Sequence, residues 1–205
     1  MNFRTLDPDQ MAELLEAGLV ERRHLEFKPG FEWASEHDLF LRESVIRTIL
    51  GMTNTPTGGV LLLGIDGRVS PPVLVGIKDN ELSTFADFEA VKGTVDGFAT
   101  MATDFELRIG IWQEKRLLVA RIAEFARRPI LCRKNGTTNR LREGDLYVRP
   151  QKGQPRTERM GELELEEIIG LSIGKESSIR RAQGWTAPAA QDAAGFYRKF
   201  LGDLE

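Results

Sequence analysis

A continuous apolar run, GVLLLGI at residues 59 to 65, constrains the fold of this chain more than any other segment. A strand that is apolar at every position has to be covered on both faces, which is typical of a central strand between two layers. The run follows the turn-rich segment NTPTGG and leads into Asp66. Helical and strand-like patterns alternate along the rest of the chain. The sequence therefore predicts an α/β (α+β) fold, a mixed sheet flanked by helices.

Hydrophobic periodicity divides the rest of the chain into further elements. Apolar residues at helical spacing predict four helices, and alternating or short apolar segments predict five more strands. The dipeptide Asn135-Gly136 predicts an additional tight hairpin. The predicted helices cover residues 8 to 17, 37 to 53, 81 to 101 and 162 to 173; the predicted strands cover 24 to 28, 73 to 77, 105 to 112, 116 to 122 and 146 to 149; the additional hairpin joins 130 to 133 with 140 to 141.

The composition changes near Gly174, where an Ala-rich stretch with Pro188 follows the last of these helices. The sequence predicts one domain over residues 1 to 173 and a helical appendage or linker over residues 174 to 205. A terminal helix in this tail would carry the aromatic residues Phe196, Tyr197 and Phe200.

Cysteine use and hydropathy exclude several classes of protein. The single cysteine, Cys132, cannot form a disulfide within the chain, and no spacing of Cys and His indicates a zinc site. No apolar run approaches the ~20 residues of a membrane span, and the first residues lack the pattern of a signal peptide. We therefore expect a cytoplasmic protein that does not enter a membrane.

The charge is distributed unevenly along the chain. The net charge is -3, yet the segment from Arg127 to Arg159 contains ten Lys and Arg residues against three acids. Such a basic segment favours a polyanionic ligand. A solvated hairpin face explains the same composition, and charge alone does not decide between them.

The segment LVERRHLEFKPG, residues 19 to 30, holds the candidate catalytic residues Glu21, Glu26 and Lys28. In a strand, Leu25 and Phe27 would face the core while Glu26 and Lys28 face the other side. Strand parity places Glu21 and Glu26 on opposite faces. Glu21 can therefore approach Glu26 only if the chain bends between them, and we expect the bend at Arg22-Arg23. A surface ion pair between Glu26 and Lys28, worth under about 1 kcal/mol, explains the same pattern without a function.

Carboxylates that converge from separate segments hold hard divalent cations, which neutralise a phosphodiester and activate water. Asp66, where the buried strand ends, would be the third such acid. Other chemistries have little support. The segment from Gly170 to Lys175 is one residue short of a phosphate-binding loop, and the two histidines fit neither a serine hydrolase nor a zinc protease.

Four motifs resemble the Schlafen core domain, an AlbA-like nucleic-acid-binding domain that is widespread in bacteria. The family pattern is an acid, four residues and Glu-Phe-Lys, then a helix, an Asn-x-x-Gly-Gly type of loop, an apolar strand that ends in Gly-(Val/Ile)-x-Asp, and a later Tyr-(Val/Ile)-Arg strand. The chain has Glu21-Arg-Arg-His-Leu-Glu26-Phe27-Lys28, Asn54-Thr-Pro-Thr-Gly-Gly59, Val60-Leu-Leu-Leu-Gly64-Ile65-Asp66 and Tyr147-Val148-Arg149. The resemblance spans about residues 19 to 173, and the Asn loop is longer than the usual form.

This resemblance implies a metal-dependent endoribonuclease that acts on structured RNA, with tRNA as the expected substrate. By motif, Glu21, Glu26 and Asp66 would hold Mg²⁺ or Mn²⁺, and Lys28 would orient the phosphate or an acid. Mammalian members build a groove from two lobes, so a single-lobe chain would form a homodimer with its basic segments along the groove. The candidates for phosphate contact are Arg127, Arg128, Arg133, Lys134, Arg140, Arg149 and Lys152.

Two alternatives remain beside the nuclease. Relatives of this domain are also DNA-binding or ATP-binding regulators, so the chain would instead be a non-catalytic DNA- or RNA-binding module whose acids are structural. Alternatively, the chain would be the effector of a larger antiviral defence assembly, joined to its partner through residues 174 to 205. A nucleotide-binding role ranks last because no phosphate-binding loop is present.

Overall fold

The structure, a computed structural model, describes residues 3 to 15 and 18 to 184. In chain order its elements are β1 (Arg4–Thr5), α1 (Pro8–Leu15), β2 (Leu25–Lys28), α2 (Leu39–Thr53), β3 (Gly59–Leu63), β4 (Ile65–Asp66), β5 (Val73–Leu74), α3 (Asp79–Ser83), α4 (Phe88–Asp96), β6 (Phe105–Trp112), β7 (Lys115–Ile122), β8 (Tyr147–Val148), β9 (Glu158–Arg159) and α5 (Glu162–Ala182). The predicted mixed α/β fold is confirmed.

The main sheet has five strands in the order β1-β6-β7-β3-β2. The strands β2 and β3 run parallel, β7 is antiparallel to both β3 and β6, and β1 is parallel to β6. The predicted hairpin of β6 and β7 is confirmed, with Trp112 opposite Lys115 at its turn. Two small two-stranded sheets, β4 with β5 and β8 with β9, lie outside the main sheet.

The apolar run is a central strand with a hydrophobic core on each face, as predicted. Leu61 and Leu63 belong to a large core that includes Ile46, Ile49 and Leu50 of α2. Leu62 faces the other way, into a smaller core with Met11 and Leu15 of α1. The alternation of the strand therefore sends neighbouring leucines into different cores, and neither face is left for water.

Two predicted elements are shorter than the sequence indicates. Gly64 has φ +110°, which ends β3, and Ile65 and Asp66 pair with β5 instead of continuing the main sheet. The helix predicted over residues 81 to 101 is divided into α3 and α4. Asp87 caps the second helix by accepting a hydrogen bond from the Ala90 amide at 3.0 Å, so the chain restarts a helix there.

The hairpin predicted around Asn135-Gly136 is wrong. No strand forms on either side of that turn in the described chain, and the segment is a loop that lies on α2. The buried carboxylate of Glu43 on α2 accepts the amide hydrogens of Thr137 and Thr138 at 2.5 and 3.1 Å. The loop satisfies its backbone through a side chain from a distant element, and a ladder of strand hydrogen bonds is not needed.

The helix α5 is longer than predicted and continues without a break across residues 173 and 174, where the composition changes. The terminal helix predicted around Phe196, Tyr197 and Phe200 lies outside the described residues. Within the described chain, no helix combines the length and the apolar composition that crossing a membrane requires.

Gly58, in the turn before β3, tests the packing at this end of the sheet. Its φ is +69°, and a Cβ there would lie 2.0 Å from the backbone oxygen of Ile122. We expect Gly58→Ala to lower the free energy of unfolding by more than about 3 kcal/mol, because backbone strain and a clash with β7 add together.

Gly144 is the matched control, since its φ is +81° but a Cβ would meet nothing within 4 Å. Gly144→Ala should cost only the strain of the left-handed backbone, about 1 kcal/mol. Urea denaturation measures both variants, and equal effects would contradict the clash at Ile122.

Candidate functional site

A tight turn brings the two glutamates of the LVERRHLEFKPG segment to the same strand edge. The backbone amides of Arg22 and Leu25 donate to each other's carbonyl oxygens at 2.9 and 3.0 Å. This antiparallel bridge places the neighbouring residues Glu21 and Glu26 opposite one another. The bend that the sequence requires between the two glutamates is therefore present, and it includes Arg22 and Arg23.

The carboxylate of Glu21 caps the free edge of the sheet. Its Oε1 accepts a hydrogen bond from the Phe27 amide at 3.0 Å, on the side of β2 that faces away from β3. The same oxygen would lie 3.2 Å from a Cβ on Gly67, the residue that follows Asp66. Glu21 thus lies between β2 and the turn after β4.

Glu26 is buried and is held by cations. Its side chain forms ion pairs with Arg149 and with Lys28, and its Oε1 accepts the Thr48 hydroxyl at 3.2 Å. It projects from β2 toward α2, opposite the core residues Leu25 and Phe27, as strand parity predicts. Glu26 is therefore part of a buried charged network, unlike a surface ion pair between Glu26 and Lys28.

Arg149 is at the centre of this network and is 0% exposed. Besides Glu26, its guanidinium donates to the backbone oxygens of Arg23 at 2.9 Å and of Arg22 at 2.7 Å. Burial lowers the pKa of Arg149 to about 10, against the opposing effect of Glu21, so the side chain stays charged at neutral pH. Arg149 was predicted to contact a phosphate, but in this conformation its donors serve the protein itself.

Lys28 lies beside this network with only 17% of its side chain exposed. Burial lowers its pKa to about 8, Glu21 opposes that shift, and the nearby Arg140 and Arg47 add to it. The ammonium group is mostly protonated at pH 7 and loses its proton at mildly alkaline pH. Lys28 can therefore bind an anion, or release a proton, close to physiological pH.

Asp66 belongs to a different environment from the two glutamates. Its carboxylate is bound in a bidentate manner by Arg68, at 2.8 and 2.7 Å, and this pair lies at the surface. The hydrogen bonds from Arg68 lower the pKa of Asp66 to about 2. The structure thus brings Glu21 and Glu26 together and places Asp66 near Glu21 through Gly67, but engaged with its own arginine.

Among the described residues, no group of three or more Asp, Glu, His or Cys side chains is arranged to hold a metal ion. The reason lies in the partners of the predicted ligands: Arg149 and Lys28 occupy Glu26, and Arg68 occupies Asp66. In this arrangement the three acids do not fit Mg²⁺ or Mn²⁺ as a donor set.

A cleft of about 520 Å³ opens on the side of this network that faces α2. We call it the basic cleft. It lies between β2, α2, the Arg140 loop and the segment that enters β9, and its lining residues are Glu26, Lys28, Ser44, Arg47, Thr48, Arg140, Arg156, Thr157 and Glu158. A shallower depression that also contains Arg142 and Arg159 adjoins it and shares Arg47 and Arg140.

The basic cleft is lined by four cationic side chains and two anionic ones, and both anionic side chains are already paired with cations. Arg149 and Lys28 share Glu26, and Arg156 is paired with Glu158. Within the part of the chain that the structure describes, neither Arg47 nor Arg140 forms an ion pair. Arg140 stacks on Phe40 with its guanidinium carbon 3.9 Å from the ring centroid, and Arg47 lies 5.0 Å from that of Tyr147.

Two polar atoms in the cleft have no hydrogen-bond partner in the described chain. They are Arg47 Nε and the hydroxyl oxygen of Thr157, and both are buried. Thr157 is 9% exposed and lies against Gly51, where a Cβ would come within 2.4 Å of its methyl carbon. Buried polar atoms without partners are costly, so the wall of the cleft formed by Arg47 and Thr157 is incompletely paired.

The basic residues predicted from the segment 127 to 159 do not form one surface. Arg140 lines the basic cleft, whereas Arg127 and Arg128 lie beside α5, where Arg127 is paired with Glu176. Lys134 lies over the ring of Phe98 at 4.5 Å. Of the remaining three candidates, Arg149 is buried in the network with Glu26, and Arg133 and Lys152 are exposed.

Arg47 is the functional candidate that the sequence analysis missed. A polar stripe at helical spacing, Glu43, Ser44, Arg47 and Thr48, follows one side of α2, an otherwise apolar helix. Glu43, Ser44 and Thr48 are buried, so this stripe faces another element and not water. Polar residues recurring at positions i, i+3 and i+4 within a core helix are a signal that would have identified it.

We expect the Arg149 network to dominate the stability of the site. Removing one member of a buried ion pair costs about 3–5 kcal/mol, so Arg149→Met should lower the free energy of unfolding by that amount. Arg142→Met, at an exposed arginine of the same segment, should change it by less than about 0.5 kcal/mol. Chemical denaturation compares the two, and a small effect at Arg149 would contradict its central role.

No protein-family model matches the chain, and no curated protein matches its sequence. Two solved structures are similar to it in part. The DIP2311 protein from Corynebacterium diphtheriae matches with a TM-score of 0.47 and 16% identity, over 78% of this chain and 27% of that chain. The N-terminal domain of an ATP-dependent DNA helicase RecG-related protein from Nitrosomonas europaea matches with a TM-score of 0.42 and 21% identity, over 73% of this chain and 93% of that chain. The chain thus spans about a quarter of the DIP2311 protein.

Proposed function

We propose that this chain binds the phosphates of nucleic acid in the basic cleft, and that the nucleic acid is structured RNA. One observation carries the proposal: the guanidinium groups of Arg47 and Arg140 line the same cleft, and neither forms an ion pair in the described chain. A phosphate oxygen supplies what this arrangement lacks, namely negative charge and several acceptors at one point.

The fixed positions of the cations suit them to a phosphate. Arg140 is stacked on Phe40, Arg47 on Tyr147, and Lys28 is buried beside Glu26. Side chains that are already held lose little conformational freedom when a ligand arrives. Contacts of this kind recognise charge and backbone shape without reading bases, which is how proteins bind folded RNA.

The choice of RNA over DNA rests on the resemblance of the sequence to the Schlafen core domain, whose nuclease members act on tRNA and rRNA. Relatives of that domain also include DNA-binding regulators, so DNA is the alternative polymer. The proposal includes a homodimer, because mammalian members of the Schlafen family build their groove from two lobes and the described residues form one such lobe. It also includes a role in a defence assembly, joined through residues 174 to 205.

Cleavage of the bound RNA is a second candidate function. The observation that favours it is the turn at Arg22 to Leu25, which places Glu21 and Glu26 opposite each other with Gly67 beside Glu21. Since cations hold Glu26 and Asp66, a metal-dependent reaction would first require Lys28 and Arg68 to release these two acids. Binding without turnover, with the acids serving the fold, needs no such rearrangement.

Binding is tested by titrating labelled tRNA with the wild type and with the double variant Arg47→Gln and Arg140→Gln. A plot of the logarithm of the binding constant against the logarithm of the salt concentration has a negative slope. Each phosphate contact that is lost reduces the magnitude of that slope by about 1. We expect the double variant to bind at least about 10-fold more weakly, with a slope reduced by 1 to 2 units on that basis.

Arg116→Gln is the matched control, since Arg116 pairs with Asp79 at a distance from the cleft. It should bind tRNA as the wild type does. If the control and the double variant weaken binding equally, the cleft is not the site; melting curves confirm that each variant is folded. A parallel titration with duplex DNA decides the polymer.

Cleavage is tested by incubating total tRNA with the protein and Mn²⁺, Mg²⁺ or EDTA, followed by a denaturing gel. Asp66→Asn and Glu21→Gln are the informative variants, because Asp66 lies outside the buried network and Gln at position 21 can still accept the Phe27 amide hydrogen. If the chain is a nuclease, fragments should need metal and disappear in both variants. They should persist in Asp79→Asn, which alters another surface acid paired with an arginine. If tRNA remains intact under all conditions, the chain is not a nuclease, and binding is its only function among the two candidates.

A further inference from the structure

The helix α5 presents an apolar stripe that no described part of the chain covers. Leu165, Ile169 and Ile173 follow one another at intervals of four residues, and they are 41%, 48% and 61% exposed. Side chains at this spacing lie on one face of a helix. Isolated exposed apolar residues are ordinary, but a row of three large ones on a single helix marks a surface for contact.

The opposite face of α5 fixes the helix to the domain. Ile168 is buried, and Leu171 packs against the large core. Glu167 is paired with Arg23, and Lys175 with Glu124, so both halves of the helix are attached. The exposed stripe therefore lies on the side of α5 that faces away from the described core.

Charges around the stripe differ between its two ends. Exposed acids, Glu162 and Glu166, flank the first turns of α5. The other end has more basic than acidic side chains. Glu176 there is paired with Arg127, and Arg128 and Arg181 add further positive charge. The surface is thus acidic at one end, apolar in the middle and basic at the other end.

We propose that the α5 stripe is the interface between two copies of this chain, packed antiparallel about a two-fold axis. The inference rests on the homodimer of the proposed function and assigns its surface. An antiparallel pair sets the acidic end of each helix against the basic end of the other, and it lays Ile169 of one copy beside Ile173 of the second. A parallel pair would instead set like charges together at both ends.

The self-complementary pattern selects a second copy over another occupant. A two-fold interface requires one surface to match itself after rotation, which an acidic-apolar-basic stripe does. Opposed helix dipoles favour the same antiparallel arrangement. The interface also brings Arg127 and Arg128 of each copy to the junction between the two copies.

The first test is the mass of the full chain by light scattering over a range of concentrations. The wild type should be a dimer, and the double variant Ile169→Gln and Ile173→Gln should dissociate at least about 10-fold more readily. The matched control is Val73→Gln with Val75→Gln, which changes two valines of similar exposure elsewhere. A monomeric wild type, or equal dissociation in the control, would overturn the proposal.

Cysteine cross-linking tests the orientation. Cys132 is buried, so single cysteines introduced on α5 report the interface. Under mild oxidation, a mixture of Ile169→Cys and Ile173→Cys chains should form disulfide-linked dimers, because each of these positions lies beside the other in the second copy. Leu163→Cys should not, because in the antiparallel pair the two copies of this position lie about 24 Å apart at 1.5 Å per residue. Cross-linking through Leu163→Cys as efficient as in the mixture of Ile169→Cys and Ile173→Cys chains would overturn the antiparallel arrangement.

Charge reversal provides a rescue that a general loss of folding cannot imitate. Glu162→Arg with Glu166→Arg should weaken the dimer, and Arg128→Glu with Arg181→Glu should do the same. All four changes together should restore it, since each end again meets its opposite charge. Failure of the rescue would contradict the pairing of the ends.

This inference and the proposed function fail separately. A dimer that cross-links at Ile169 but binds no tRNA supports the interface and refutes nucleic-acid binding. A chain that binds tRNA through Arg47 and Arg140 and is monomeric supports the cleft and refutes the interface.

Discussion

The buried ion pair between Arg149 and Glu26 is the contact on which the geometry of the site depends. Arg149 follows β8 and Glu26 is on β2, so the pair joins a small outer sheet to the edge of the main one. The same guanidinium binds the carbonyl oxygens of the Arg22 to Leu25 turn. A charge removed from water requires this full set of partners. One side chain thereby fixes the turn, the strand and the wall of the cleft relative to one another.

This contact also bears on which of the two functions the site serves. Carboxylates that hold a divalent cation must present their oxygens to it, whereas Glu26 gives one oxygen to Arg149 and the other to Lys28 and Thr48. The geometry around Arg47 and Arg140 is different, because neither guanidinium forms an ion pair within the described chain and both line the cleft. The cleft is therefore ready for an anion, while the acids beside it are neutralised by their neighbours.

Much of the fold follows from local sequence, and much of the site does not. The central strand and the β6–β7 hairpin are encoded by alternation and apolar runs within each segment, which is why both predictions are correct. The loop around Asn135-Gly136 was misjudged because its acceptor, Glu43, lies 94 residues away from Thr137. The role of Arg149 was hidden for the same reason, since its partner Glu26 is 123 residues distant. Asp66 and Arg68, two residues apart, form a pair that the sequence alone would have allowed us to anticipate.

The anchoring of the Arg140 loop by Glu43 has a consequence for how a ligand would bind. Glu43 holds the backbone at Thr137 and Thr138, and Phe40, one turn earlier on α2, supports the Arg140 guanidinium. One rigid helix, α2, therefore positions both the loop backbone and the Arg140 side chain, and the same helix carries Arg47. Association with such a surface resembles the meeting of two preformed bodies, and its rate is governed by electrostatic attraction more than by loop folding.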